Sequence, residues 1–128
     1  MQKREYIVYA GPEHTIEWYF TEKGNSPALE YYKNLEQRQR IKLLYLIKRI
    51  GDFGTISDST KFNSEGDQIF AFKPKPDRFL CFFERRAKII ITNAFCKKQQ
   101  KLPKNEKEKA LDYKKSYEKR IKAGCYYE

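Results

Sequence analysis

Histidine is almost missing from this chain: His14 is the only one in 128 residues. The acidic side chains are scattered, and no CxxC pair occurs. The spacing of a zinc site is therefore absent, and neither a structural metal nor a metalloenzyme is expected. Cysteine is scarce and odd in number: Cys81, Cys96 and Cys125. Cys81 and Cys96 fall in apolar strand patterns and read as reduced core fillers. His14 sits in a turn far from both, which leaves a Cys–His nucleophile poorly supported. Neither GxGxxG nor GxxxxGK[ST] appears, so no nucleotide cofactor is expected. No apolar run approaches the roughly 18 residues of a membrane span. The opening MQKREYIVYAGPEHT lacks the apolar stretch of a secretory signal. A cytoplasmic, membrane-free protein without cofactors is the expectation.

What is abundant is aromatic and basic. Ten tyrosines and nine phenylalanines within a 40% apolar composition argue for a folded chain, although 34% of it is charged. The length suits one domain, residues 1–128, around a modest core. The net charge of +10 is uneven. Residues 1–64 carry 10 basic and 8 acidic side chains, whereas residues 65–128 carry 17 and 9. The densest stretch runs from Asp67 to Pro103. There nine cations (Lys73, Lys75, Arg78, Arg85, Arg86, Lys88, Lys97, Lys98 and Lys101) outnumber Asp67, Asp77 and Glu84. A small sheet cannot bury so much charge, so these groups gather on its edges, ends and loops. A cationic surface on a rigid platform is suited to a polyanion such as RNA.

The residue pattern predicts the order ββ-αα-βββ-α. EYIVYA (5–10) and TIEWYFT (15–21) are β-branched and aromatic, with the turn cluster Gly11-Pro12-Glu13-His14 between them, and read as a hairpin over 5–21. Ser26-Pro27 opens helical structure over 27–50, and Asn34 with Gln37 continues it like a capping box. Leu43, Leu46, Ile47 and Ile50 form its apolar stripe, with Gly51 as the stop. Arg38, Lys42, Lys48 and Arg49 lie opposite as a solvated face. Residues 52–66 are loop-like. Strands at 68–73, 78–84 and 87–95 form an antiparallel meander, with Lys73-Pro74-Lys75-Pro76-Asp77 as a protruding turn. Pro103 opens a last helix, 103–123, whose buried stripe is Ala110, Tyr113, Tyr117 and Ile121. The fold class is α+β, a small antiparallel sheet packed in two layers against helices. Phe70, Phe72, Phe79, Phe82 and Phe83 alternate along strands and read as core.

Cations alone support one kind of chemistry on RNA. The ribose 2′-hydroxyl lies next to the scissile phosphate, so an enzyme need only align it, neutralise the charge building on phosphorus, and move two protons. Arginine clamps phosphate oxygens with a planar fork. A lysine crowded by other cations has a lowered pKa and can exchange protons. A metal-independent endoribonuclease is chemically feasible with this residue set.

The run I-F-A-F-K … D-R-F-L-C-F-F-E … I-I-I-T-N-A-F-C-K-K-Q-Q-K-L-P … E-K-E-K-A resembles RelE/HigB-type toxins of bacterial type II toxin–antitoxin systems, in their phage-derived HigB-like branch. The similarity spans about Ile16 to Ile121. It is most specific at Phe95-x-Lys97-Lys98-x-x-Lys101-x-Pro103. The resemblance implies a compact fold similar to microbial ribonucleases and an mRNA interferase, a ribosome-dependent endoribonuclease held inactive by a cognate antitoxin. By position, Arg78 matches the arginine that contacts the scissile phosphate, and Lys73 stands where the branch usually has arginine. Lys97 or Lys98 matches the basic residue beyond the last strand, and Lys101 the final lysine of the motif. Lys75, Arg85, Arg86 and Lys101 are the further RNA-binding candidates. Two departures stand out: RelE's paired strand lysines correspond to Ile69 and Ala71, and its C-terminal tyrosine has no clear counterpart. The alternatives are a non-catalytic ParE-like toxin that inhibits gyrase, and a basic nucleic-acid-binding phage protein. Mature partners on the leading reading are mRNA, the ribosome and the antitoxin. Tyr6, Tyr9 and Tyr19, exposed on this reading, offer the antitoxin a hairpin surface.

Overall fold

A computed structural model describes residues 4–98 and 102–128. The strands β1 (Ile7–Ala10) and β2 (Thr15–Trp18) form the expected hairpin. Helices α1 (Pro27–Lys33) and α2 (Gln37–Phe53) follow. Then come β3 (Phe62–Ser64), β4 (Phe70–Phe72), β5 (Asp77–Glu84), β6 (Lys88–Cys96) and α3 (Lys104–Lys122). All six strands form one sheet in the order β1-β2-β6-β5-β4-β3. Every neighbouring pair is antiparallel except β2 and β6, which run parallel from Thr15↔Lys88 to Trp18↔Ile91. The fold class is α+β, as the residue pattern indicates.

The layering differs from the expected two. One face of the sheet packs Ile16, Phe72, Phe79, Cys81 and Ile89 against Leu43, Leu46, Ile47 and Ile50 of α2. The other packs Leu80, Phe82, Ile90 and Phe95 against Ala110 and Tyr117 of α3. The sheet is therefore covered on both sides, and successive residues of β5 and β6 are buried whichever way they point. Continuous runs such as Phe79-Leu80-Cys81-Phe82 and Ile89-Ile90-Ile91 carry that requirement in sequence. Each fully buried Leu, Ile or Phe contributes roughly 1.5–3 kcal/mol.

Several local expectations are corrected. β3 lies in the stretch expected to be loop, and its three residues pair with β4 from Phe62↔Phe72 to Ser64↔Phe70. A strand of three residues, flanked by Lys61 and Glu65, carries little periodic signal. Asn34 caps the end of α1 rather than restarting it, and Glu36 precedes α2 without a side-chain cap. Gly51 does not stop α2, which runs on to Phe53 and closes with Gly54 at φ 83°. Gly51 instead marks the place where α2 crosses the hairpin turn. A Cβ there would lie 2.8 Å from Cδ2 of Tyr9, and its carbonyl accepts from the backbone N–H of Glu13 (2.9 Å) and His14 (3.1 Å). Cys81 is buried as expected, and burial pushes its thiol pKa up, but Cys96 is exposed at the strand end. Tyr19, expected at the surface, is 1% exposed, and Tyr6 and Tyr9 are half-buried.

The chain termini are knitted together. Tyr126 is buried, and its hydroxyl accepts from the backbone N–H of Phe20 at 3.0 Å. The guanidinium of Arg120 lies 4.7 Å over the Tyr126 ring and donates to the Phe20 carbonyl at 2.9 Å. Glu17 is buried too, accepting from the Tyr127 hydroxyl at 2.7 Å and pairing with Lys88 at 3.3 Å.

Candidate nucleic-acid interface

The candidate residues divide between the two ends of the sheet. At one end β4 finishes, β5 begins and β6 finishes, which brings Lys73, Arg78 and Lys97 together. One step beyond the Phe72↔Phe79 pair, the antiparallel register sets Lys73 opposite Arg78, and Arg78 pairs with Phe95. Lys97 is held against the same turn by its backbone N–H, which donates to the Pro76 carbonyl at 2.9 Å. Lys75 is exposed on that turn, and Lys98 is exposed just past the strand. Arg85 and Arg86 occupy the β5–β6 turn, at the far end of β5. Arg85 lies seven positions along the chain from Arg78, roughly 23 Å at about 3.3 Å per residue. Arg86 is engaged with Glu84 at 3.2 Å. Lys101 lies outside the described residues.

Arg78 is the unusual member. It is only 9% exposed, its Nη1 donates to the Asp77 carbonyl at 3.0 Å, and its Nε is buried without a hydrogen-bond partner. Burial pulls its pKa below the ordinary arginine value, with the charges of Glu65, Asp77 and Cys96 opposing. An arginine stays protonated regardless. The result is a desolvated positive charge with unused donor capacity.

The turn that presents it is rigidly tied. Asp77 points to the opposite face, where the Tyr31 hydroxyl and Gln39 Nε2 (2.5 Å) both donate to its carboxylate. Gln39 Nε2 also donates to the Pro74 carbonyl at 3.0 Å. Helices α1 and α2 thus hold the Lys73–Asp77 turn from below. On the α3 side, Asn93 Nδ2 donates to the backbone carbonyl and to Oε1 of Glu106, each at 3.1 Å. That fixes the first turn of α3 beside β6.

Lys73 Nζ donates to the Ser59 carbonyl at 3.3 Å. Its pKa is lowered, first by burial, then by the charges of Arg78, Lys97 and Lys75, with Glu65 acting the other way. Glu65 is the group that the sequence pattern missed. Its charge is felt by both Lys73 and Arg78, yet it closes no salt bridge to either among the described residues. Alternation through Phe62-Asn63-Ser64-Glu65, with Phe62 in the core, would have put Glu65 on the Arg78 face, had the segment been read as a strand. Ile69 and Ala71 are fully buried against α3. Proton transfer from those two positions is closed off by the packing.

Among the described residues no group of three His, Cys, Asp or Glu side chains is placed to hold a metal ion. None of the described helices is long and apolar enough to cross a membrane. Fold and site together define a small basic α+β protein whose sheet end concentrates buried and half-buried cations around one underused guanidinium. The chain belongs to the family described as Phage derived protein Gp49-like (DUF891), whose model matches residues 30–115. That match runs from α1 into α3, and so takes in the turn, Lys73, Arg78 and Lys97, but neither the β1–β2 hairpin nor the tyrosine-rich tail. No curated protein matches the sequence.

Proposed function

We propose that this protein is the toxin of a toxin–antitoxin module and acts as a metal-independent, ribosome-dependent endoribonuclease on mRNA. The observation that carries the reading is Arg78: a buried guanidinium whose Nε has no partner, aimed from the rigid end of a sheet and flanked by Lys73 and Lys97. Its Nη1 is the one nitrogen that donates to a partner among the described residues, and Nη2, which is not among the buried unpartnered atoms, keeps donor capacity for an anion from outside. A scissile phosphate fits that need. The guanidinium clamps its non-bridging oxygens, and its charge offsets the one building in the transition state, inside a site already stripped of water. Lys97 adds to the field.

Lys73 is the proton carrier on this reading. Burial and three neighbouring cations disfavour its protonated form, which lets the amine accept the proton of the 2′-hydroxyl as that oxygen bonds to phosphorus. The ammonium so formed returns a proton to the 5′-oxygen as the P–O5′ bond breaks, leaving a 2′,3′-cyclic phosphate. Glu65 restrains that shift by stabilising the protonated lysine. Two protein-free requirements of RNA cleavage, an internal nucleophile and in-line geometry, then come from the substrate and its positioning. The ribosome would supply the positioned mRNA strand, and an antitoxin with acidic groups would silence the site by covering its cations.

The test is 5′-end mapping of cellular mRNA after induced expression, with Arg78→Met beside the unaltered protein. New 5′ ends within translated regions, keeping codon phase and lost in the variant, are expected. An unchanged transcriptome with growth arrest sinks the nuclease and favours a non-catalytic toxin of the same fold, a reading that draws on the buried Ile69 and Ala71.

A further inference from the structure

The outer face of α2 and the β3–β4 edge enclose a cleft of about 500 Å³ that ends at Lys73. From α2, Ile41, Tyr45 and Arg49 line it at four-residue spacing, with Lys42 beside them. Lys61, Lys73 and Lys75 form the facing wall. Asp58 is the one acid in the lining, and its carboxylate is already occupied by the Thr60 backbone N–H (2.9 Å) and hydroxyl (2.6 Å). Five cations thus surround the cleft against one engaged acid. At the same time Ile41 and Tyr45 are 58% and 63% exposed, on a helix whose opposite stripe is fully packed.

An occupant must meet both features: negative charge at repeated intervals, and flat apolar groups between. A single RNA strand has that pattern, with phosphates for the lysines and bases to stack on the Tyr45 ring. A duplex hides its base faces and does not. The cleft shares Lys73 with the site, and Lys73 lies across from Arg78 at the same end of the sheet, so a strand lying here can continue round that end towards Arg78. We propose that this cleft is a single-stranded RNA track, holding the nucleotides next to the phosphate that Arg78 clamps. The assignment of that phosphate rests on the ribonuclease reading; the binding of a strand in the cleft does not.

The experiment uses the full chain and a short 2′-O-methyl oligonucleotide, which cannot be cleaved, with binding followed by fluorescence anisotropy over a salt series. Tyr45→Ala is expected to weaken binding roughly tenfold and Tyr45→Phe to leave it intact. The double variant Lys61→Ala/Lys75→Ala is expected to reduce the slope of log K against log salt by about 1.4, since each phosphate contact on a single strand contributes about 0.7. Lys119→Ala, on the exposed side of α3, should shift neither by more than the long-range charge effect. Binding that survives Tyr45→Ala, or a duplex of the same sequence binding equally well, overturns the track. So does a polyglutamate peptide that displaces the oligonucleotide with the same dependence on Tyr45, which assigns the cleft to an acidic protein partner. Tyr45-dependent binding without any cleavage of ordinary RNA upholds the track while removing the nuclease. Arg78-dependent cleavage with Tyr45→Ala altering neither binding nor KM removes the track alone.

Discussion

Replacing Arg78 by methionine should make the protein more stable while disabling it. Methionine keeps most of the unbranched stem and loses the charge. In the folded protein the guanidinium is 9% exposed with its Nε unpartnered. Leaving one buried donor unmade costs about 1–3 kcal/mol relative to the hydrated unfolded chain. Arg78 in turn repels Lys73, whose charged form it disfavours. Against this stand one hydrogen bond, Nη1 to the Asp77 carbonyl at 3.0 Å, and the attraction of Glu65 and Asp77. A bond from a charged donor is worth about 1.5–3 kcal/mol at most, and less where the acceptor is a neutral carbonyl. The hydrogen-bond terms nearly cancel. Desolvation of the charge, the largest influence on Arg78, tips the balance to the variant by up to about 1 kcal/mol. For a domain of this size that raises Tm by up to roughly 3–5 °C. Cleavage should fall by about 10²–10³ or more, the usual cost of removing a preorganised donor from developing negative charge. Urea denaturation with an unchanged m-value, thermal melting by circular dichroism, and single-turnover cleavage report the two effects separately. A drop in Tm of similar size would refute the reasoning, because Arg78 would then be a structural residue whose donors are effectively satisfied.

Three other outcomes follow from the packing. Tyr31→Phe removes a donor from the buried Asp77 carboxylate and should cost about 1.5–3 kcal/mol in chemical denaturation, loosening the Lys73–Asp77 turn at the same time. Gly51→Ala forces a Cβ to within 2.8 Å of Tyr9 Cδ2 and should destabilise by about 1–3 kcal/mol, with hydrogen exchange rising first in the β1–β2 hairpin. Burial pushes the Tyr117 hydroxyl up to about 12, against 10.0 in the unfolded chain. The unfolded tyrosine releases its proton first, so stability is full below pH 10 and falls as pH rises towards 12. Tyr117 accounts for at most about 2–3 kcal/mol of that loss, beside Tyr31, Tyr126 and Tyr127, whose hydroxyls burial also pushes up. Tyr117→Phe should therefore make that limb of the pH–stability curve less steep.

The parts of the fold written in long apolar periods were legible. The α2 stripe Leu43, Leu46, Ile47 and Ile50 is buried as its spacing requires, and the β1–β2 hairpin and the last three strands fall within a few residues of their expected spans. What periodicity could not show was which neighbours cover each face. Both faces of β5 and β6 are buried because α3 closes the side opposite α2, and alternation within either strand is blind to that. Glycine misled in the same way. Gly51 resembles a helix stop, but its role is to let Tyr9 and the turn at Gly11 approach, a tertiary requirement without a local signature. For the site, charge density pointed to the stretch from Asp67 to Pro103, and the family resemblance singled out Lys73, Arg78 and Lys97 within it. Glu65 stayed hidden, because its face is set by a three-residue strand too short to announce itself.

The parallel seam between β2 and β6 imposes an order in time. Hairpin strands find each other within a few residues, but Ile16 must wait for Ile89, with both helices and three strands made in between. Tyr126 then seals the same region from the other terminus through Phe20. Long-range pairings of this kind are reached late and slowly, because loop closure is costly before contacts repay it. Strand β2, made well before β6, is therefore among the last elements to be secured. The cation-bearing turn, by contrast, is framed by β4, β5 and β6, which follow one another in the chain, and is braced by Tyr31 and Gln39 of the helices made before them. A nascent chain would thus present its anion-binding end before its outer edge has closed, and any inhibitor that recognises that end need not wait for the finished molecule.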